Sequence, residues 1–174
     1  TAVGANSLAT VTSGTLNVAV GNDALTVNTA SNNTGVGGNA LDANTTGEHN
    51  TAFGRAALGS NTTGTQNTAV ASGAGQSNTT GSYNTTLGYA AHDALTTASY
   101  NTAIGRYASL ALVNGSSNTT VGSAAGSAIS SGSNNTMIGY AAGDDLTTGG
   151  QNIIIGSLAN AGASGAAYRI IMGY

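Results

Sequence analysis

The chain of 174 residues contains no cysteine, no proline, no tryptophan and no lysine. Without cysteine there is no disulfide framework and no thiolate metal site. Arginine occurs only at Arg55, Arg106 and Arg169, so no basic patch exists to neutralise a run of phosphates, which sets nucleic acid aside as a partner. Charged residues make up 5% of the chain and the formal net charge is −3. No apolar run is long enough to span a bilayer and no segment reads as a signal peptide, so membrane insertion is not expected. A chain this poor in large aliphatics would read as disordered if it were highly charged. Here the charge is low, proline is absent and the aliphatics recur at a fixed spacing. Order through repetition is the expectation, and because alanine is the commonest hydrophobic residue, any core must be thin and close-packed.

What is present is a repeat of 17 residues. With asparagine as slot one, it falls at Asn17, Asn33, Asn50, Asn67, Asn84, Asn101, Asn118, Asn135 and Asn152, with Arg169 in its place at the end. Only the first interval differs, at 16 residues. Thr1 enters at slot two of an earlier copy, which makes about eleven copies over 1–174 and predicts a section of something longer. Slot two is mostly threonine, from Thr34 to Thr136, and slot four is apolar in every copy. The two share one face of an extended strand, and their β-branched residues argue strand over helix. The expectation is that this face points inward. Slot five is glycine except at Ala71, which predicts either a positive-φ corner or a close backbone approach. Slot eight is alanine from Ala24 to Ala159 and is expected to form a second short, tightly packed strand.

A unit of 17 residues cannot bury its apolar face alone, but stacked on copies of itself it can, each backbone pairing with the coils above and below. Aligned asparagines are expected to form ladders along the stack. The fold class predicted is therefore all-β: one β-solenoid, a parallel β-roll, forming a rod on the order of 50 Å long at about 4.8 Å per coil.

The runs "NTAVGNDAL", "NTGVGGNAL" and "NTAFGRAAL" resemble the head repeats of trimeric autotransporter adhesins. The 17-residue form with "NTTG" between units is still more similar to repeat regions of bacteriophage tail fibres. The coil is longer than the adhesin-head coil, and no chaperone or protease domain is present in the chain. The resemblance implies a fibre architecture, a homotrimer and an extracellular location on a virion fibre or a cell surface.

Catalytic chemistry finds little support. The acidic residues do not recur in one slot, which argues against a calcium-binding repeat. His92-Asp93 is the one neighbouring base and acid; it reads as a turn residue in the slot where leucine sits in earlier copies. His92 and His49 are too far apart in sequence to suggest a metal site. No glycine spacing matches a phosphate loop, so no cofactor and no enzymatic activity are expected.

The aromatic residues vary at fixed slots, which marks an outward face. Slot six carries Arg55, Tyr89, Arg106, Tyr140 and Tyr174, and slot seventeen carries Tyr83, Tyr100 and Tyr168. Such side chains either cover corners and pack between protomers, or stack on sugars and anchor a protein partner. Tyr89, Arg106, Tyr140, Tyr83 and Tyr100 are accordingly the candidate contacts for a cell-surface glycan or protein receptor. Met137, Ile154 and Ile171 replace the small residues of slot three near the end, and are expected to point outward into an interface. The leading function is a structural and adhesive fibre section, and the alternative is a binding module using the Tyr/Arg stripes. Ice binding ranks third, because slot-two threonines that point inward would offer ice nothing.

Overall fold

The computed structural model describes residues 1–173; Tyr174, one of the slot-six aromatics, lies outside them. Eleven short strands run along the chain: β1 (Ala2–Val3), β2 (Val18–Val20), β3 (Thr34–Val36), β4 (Thr51–Phe53), β5 (Thr68–Val70), β6 (Thr85–Leu87), β7 (Thr102–Ile104), β8 (Thr119–Val121), β9 (Thr136–Ile138), β10 (Ile153–Ile155) and β11 (Ile170–Met172). They form one parallel sheet in sequence order, and each strand supplies slots two to four of its coil. The register is exact: Thr51, Ala52 and Phe53 lie opposite Thr68, Ala69 and Val70. The fold is a parallel β-solenoid of 17-residue coils, and no helix occurs among the described residues.

The inward face is the opposite of the one the strand pattern predicts. Slot three is buried from Ala19 to Ile154, while slots two and four are half-buried or exposed. The reason is the thinness of the coil. Across from slot three stand the buried alanines of slot eight and the side chains of slot nine, among them Leu25, Leu41 and Leu58. The space between them admits at most one large side chain per coil, and the coils of Ala69/Gly75 and Ala103/Ser109 place none there. Where slot nine is leucine, slot three is Ala19, Gly35 or Ala52; where slot nine is Gly126 or Gly143, slot three is Thr120 or Met137. A Cβ built on Gly35 would stand 3.2 Å from Leu25 Cγ, and one on Gly126 would stand 2.8 Å from Met137 Cε.

Met137 and Ile154 are therefore core residues, fully buried, and Ile171 packs half-buried against the same cluster. They fill the interior that small slot-nine residues leave open, and do not form the expected outward surface. The outward apolar residues at that end are Ile153, Ile155, Ile170 and Met172, in slots two and four.

The second strand expected at slot eight is also absent. Slots seven and nine adopt left-handed backbone in nearly every coil, as at Asp23 (φ 55) and Leu25 (φ 53), so the chain turns there instead of extending. Each turn is held by its neighbours: Leu41 N donates to Ala57 O at 3.1 Å, and Asn39 N to Asn22 O at 2.9 Å. Slot five combines both reasons for glycine. Gly105 has φ 133, and a Cβ on it would collide with Gly122 O of the next coil. Ala71 holds the same slot at φ 111, a conformation that costs a residue with a Cβ on the order of 1–3 kcal/mol.

Slot-one asparagine closes each coil. Asn50 Nδ2 donates to Gly64 O of its own coil at 2.8 Å, and Asn50 Oδ1 accepts from Asn67 N of the next at 3.0 Å. One side chain thus ties the coil shut and fixes the next in register. A second, amide-to-amide ladder runs through slot twelve, from Asn28 through Asn44 and Asn61 to Asn78. Leu95, Leu112, Ile129 and Leu146 then take over that slot and extend the apolar core.

Candidate functional site: the outer face of the sheet

Because slots two and four point away from the core, the sheet presents two continuous columns to its surroundings. One is threonine in seven consecutive coils, Thr34 to Thr136, each in register with the next. The other is aliphatic or aromatic throughout: Val36, Phe53, Val70, Leu87, Ile104, Val121 and Ile138. Phe53 is 57% exposed and Leu87 44%. Neither column contains a charged residue, so the face is long, narrow and electrically neutral.

The threonines of this face differ from those of the turns. In slot thirteen the hydroxyls are consumed within the chain: Thr45 Oγ1 donates to Thr62 O at 3.0 Å and Thr62 Oγ1 to Thr79 O at 2.9 Å. No hydroxyl of the column from Thr34 to Thr136 has a hydrogen-bond partner among the described residues, and all stand at a half-buried or exposed position.

Aromatic residues border the face at mid-rod. In slot seventeen, Tyr83 and Tyr100 stack with ring centroids 4.9 Å apart and planes within 4°. Each ring covers one face of the other, which leaves only the two outer faces for a ligand. On the opposite border, Tyr89 meets Tyr107 edge-on at 5.6 Å, and the Arg106 guanidinium sits 4.1 Å from the Tyr107 centroid. Tyr107, in slot seven, was not among the candidates from sequence; its signal was adjacency to Arg106. Tyr140 is exposed, with no aromatic partner among the described residues. Arg55 lines a separate shallow hollow of about 260 Å³ with Asn39, Asp42, Gly59, Ser60 and Gln76. The Tyr/Arg candidates thus form one pair, one cluster of three with Tyr107, and two separate residues, not one pocket.

His92 lies in a turn in the leucine slot, as expected, and its side chain is buried in the core. Its Nδ1 lies 3.0 Å from Thr86 Oγ1, Nε2 has no partner, and burial pulls its pKa down to about 3. The carboxylate of Asp93 does not orient the ring. No cluster of three or more metal-ligating side chains occurs among the described residues. Asn44 and Asn84, which head Asn-x-Thr triplets, are buried and engaged in the ladders, so the folded coil withholds them from glycan attachment.

These features define the class: a β-solenoid repeat protein with a neutral threonine/aliphatic outer face. No protein-family model, no curated protein and no solved structure matches the chain.

Proposed function

We propose that the chain is a structural and adhesive section of an extracellular fibre, of the kind found in bacteriophage tail fibres and surface adhesins. The observation that carries this reading is the unbroken stack: eleven strands in sequence order, with each coil from Asn17 to Asn152 tied to the next by the same asparagine bond. Such a stack makes a rod on the order of 50 Å from a minimum of sequence information. Its work is to hold what lies at one end away from what lies at the other. Near-absence of charge and of any recurring acid or base accords with a role set by shape.

The fibre reading includes association of copies into a homotrimer. Support comes from the thin core, which gives each coil little burial of its own. Small-angle scattering with analytical ultracentrifugation at micromolar concentration tests it. An elongated particle of three chains is expected; a compact particle, or monomer alone, contradicts it.

The Arg106–Tyr107–Tyr89 cluster favours a second reading, a binding module for a cell-surface glycan or protein receptor. Retention on a glycan array that is lost on substituting Tyr89, Arg106 and Tyr140 supports that reading. Tolerance of all three substitutions leaves the spacer role.

A further inference from the structure

We infer that the outer face of the sheet binds ice. The inference rests on the adhesive reading of the rod and names the ligand of its outer sheet face. The expectation that inward threonines disqualify the chain does not survive, since the threonine column faces out.

Three observations carry it. First, the face is a two-dimensional lattice: neighbouring coils repeat about every 4.8 Å, and slots two and four are roughly 6.6 Å apart along the strand. The coil spacing lies close to the shorter oxygen repeat of hexagonal ice. Seven threonines hold the same slot without interruption or register slip. Second, the hydroxyls of that column are unspent. The chain uses the turn threonines Thr45 and Thr62 to bind its own carbonyls, but leaves those of slot two to solvent. Third, the face has no charge and pairs each hydroxyl with a methyl group and an apolar neighbour, aliphatic in every coil but that of Phe53.

A charged group holds water tightly in an arrangement of its own, whereas alternating hydroxyl and methyl rows both anchor a water layer and let it order between them. A layer ordered on the lattice of the face continues into the ice lattice and docks the rod on the crystal surface. Adsorbed rods then force the ice front to grow as curved segments between them, which lowers the freezing point below the melting point.

The test is thermal hysteresis and ice-crystal shape in solutions of the purified chain. The wild type is expected to separate freezing from melting and to produce faceted crystals. Thr85→Lys with Thr102→Lys, which places two charges in the middle of the face, is expected to abolish both effects. Thr63→Lys, at an exposed turn position off the face, is expected to keep them. Circular dichroism melting confirms that each variant is folded. Coincident freezing and melting of the folded wild type overturns the inference. If that protein sediments as an oligomer, the face belongs to a second copy of the chain and the fibre reading stands. If it sediments as a monomer, the trimer fails as well. Loss of hysteresis in Thr63→Lys equal to that in the double variant also overturns it, because the effect then does not reside in the face.

Discussion

Met137 occupies the space that Gly143 leaves open: a Cβ on Gly143 would stand 2.5 Å from Met137 Sδ. The two residues share a coil, and their sizes are inversely matched, as are those of Ala52 and Leu58 five strands away. Met137→Ala should therefore destabilise by about 2–5 kcal/mol through the cavity it leaves. Gly143→Leu should destabilise by about 1–3 kcal/mol or more through overpacking. Combining them rebuilds the Ala/Leu pair of the earlier coils, and Leu58 shows that leucine accepts left-handed backbone in that slot (φ 50). The double variant is expected to be more stable than the sum of the single losses by about 0.5–3 kcal/mol, read from a urea double-mutant cycle. Simple additivity contradicts the size-matching account.

Asn101→Ala should be among the costliest polar substitutions in the rod. Asn101 Nδ2 donates to Gly115 O at 3.0 Å, and its Oδ1 accepts from Asn118 N at 2.9 Å. Truncation leaves a buried carbonyl and a buried amide unpaired, at about 1–3 kcal/mol each. Asn114→Ala, at an exposed turn position, is expected to stay within about 0.5 kcal/mol of the wild type. Equal urea midpoints for the two variants would show that the asparagine does not close the coil.

His92 predicts a loss of stability in acid. Its folded pKa of about 3 lies below the ordinary 6.5 because burial disfavours the imidazolium. Between those values the unfolded chain takes up a proton that the folded chain refuses, so stability falls as pH drops below 6.5 and is unaffected by this group above it. The slope is at most about 1.4 kcal/mol per pH unit. Thr86→Ala with His92→Leu, which copies the Ala52/Leu58 pair, removes the buried imidazole and should flatten the profile between pH 6.5 and 5. An unchanged pH dependence in that double variant would place the acid sensitivity elsewhere.

Although the second strand expected at slot eight is a turn, the repeat length, the strand over slots two to four, the glycine corner and the asparagine ladder were legible in the sequence. The direction of the faces was not. In a three-residue strand, alternation establishes that slot three opposes slots two and four without saying which side is inside. β-Branched threonine and valine read as core, yet here they serve the sheet's outer columns. The signal that resolves it lies between slots: small residues in slot three accompany leucine in slot nine, and Met137 accompanies Gly143. The left-handed turns carried a signal of the same indirect sort. Among the 26 non-glycine residues with positive φ there is no valine, isoleucine or threonine, although the chain is rich in threonine. β-Branched side chains are the ones that conformation rejects most strongly. Of the candidate site, the individual tyrosines were legible, but their pairing depended on distances that only the fold supplies.

Absence of native cysteine allows the most direct test of the assignment of faces, on which the core, the columns and the ice inference all depend. Single cysteines at three successive positions of β6, Thr85→Cys, Thr86→Cys and Leu87→Cys, can be reacted with a maleimide on the folded chain at concentrations where it is monomeric. The account predicts rapid labelling at 85 and 87 and strong protection at 86, lost on unfolding in urea. Protection at 85 and 87 with rapid labelling at 86 would turn the sheet over and contradict it.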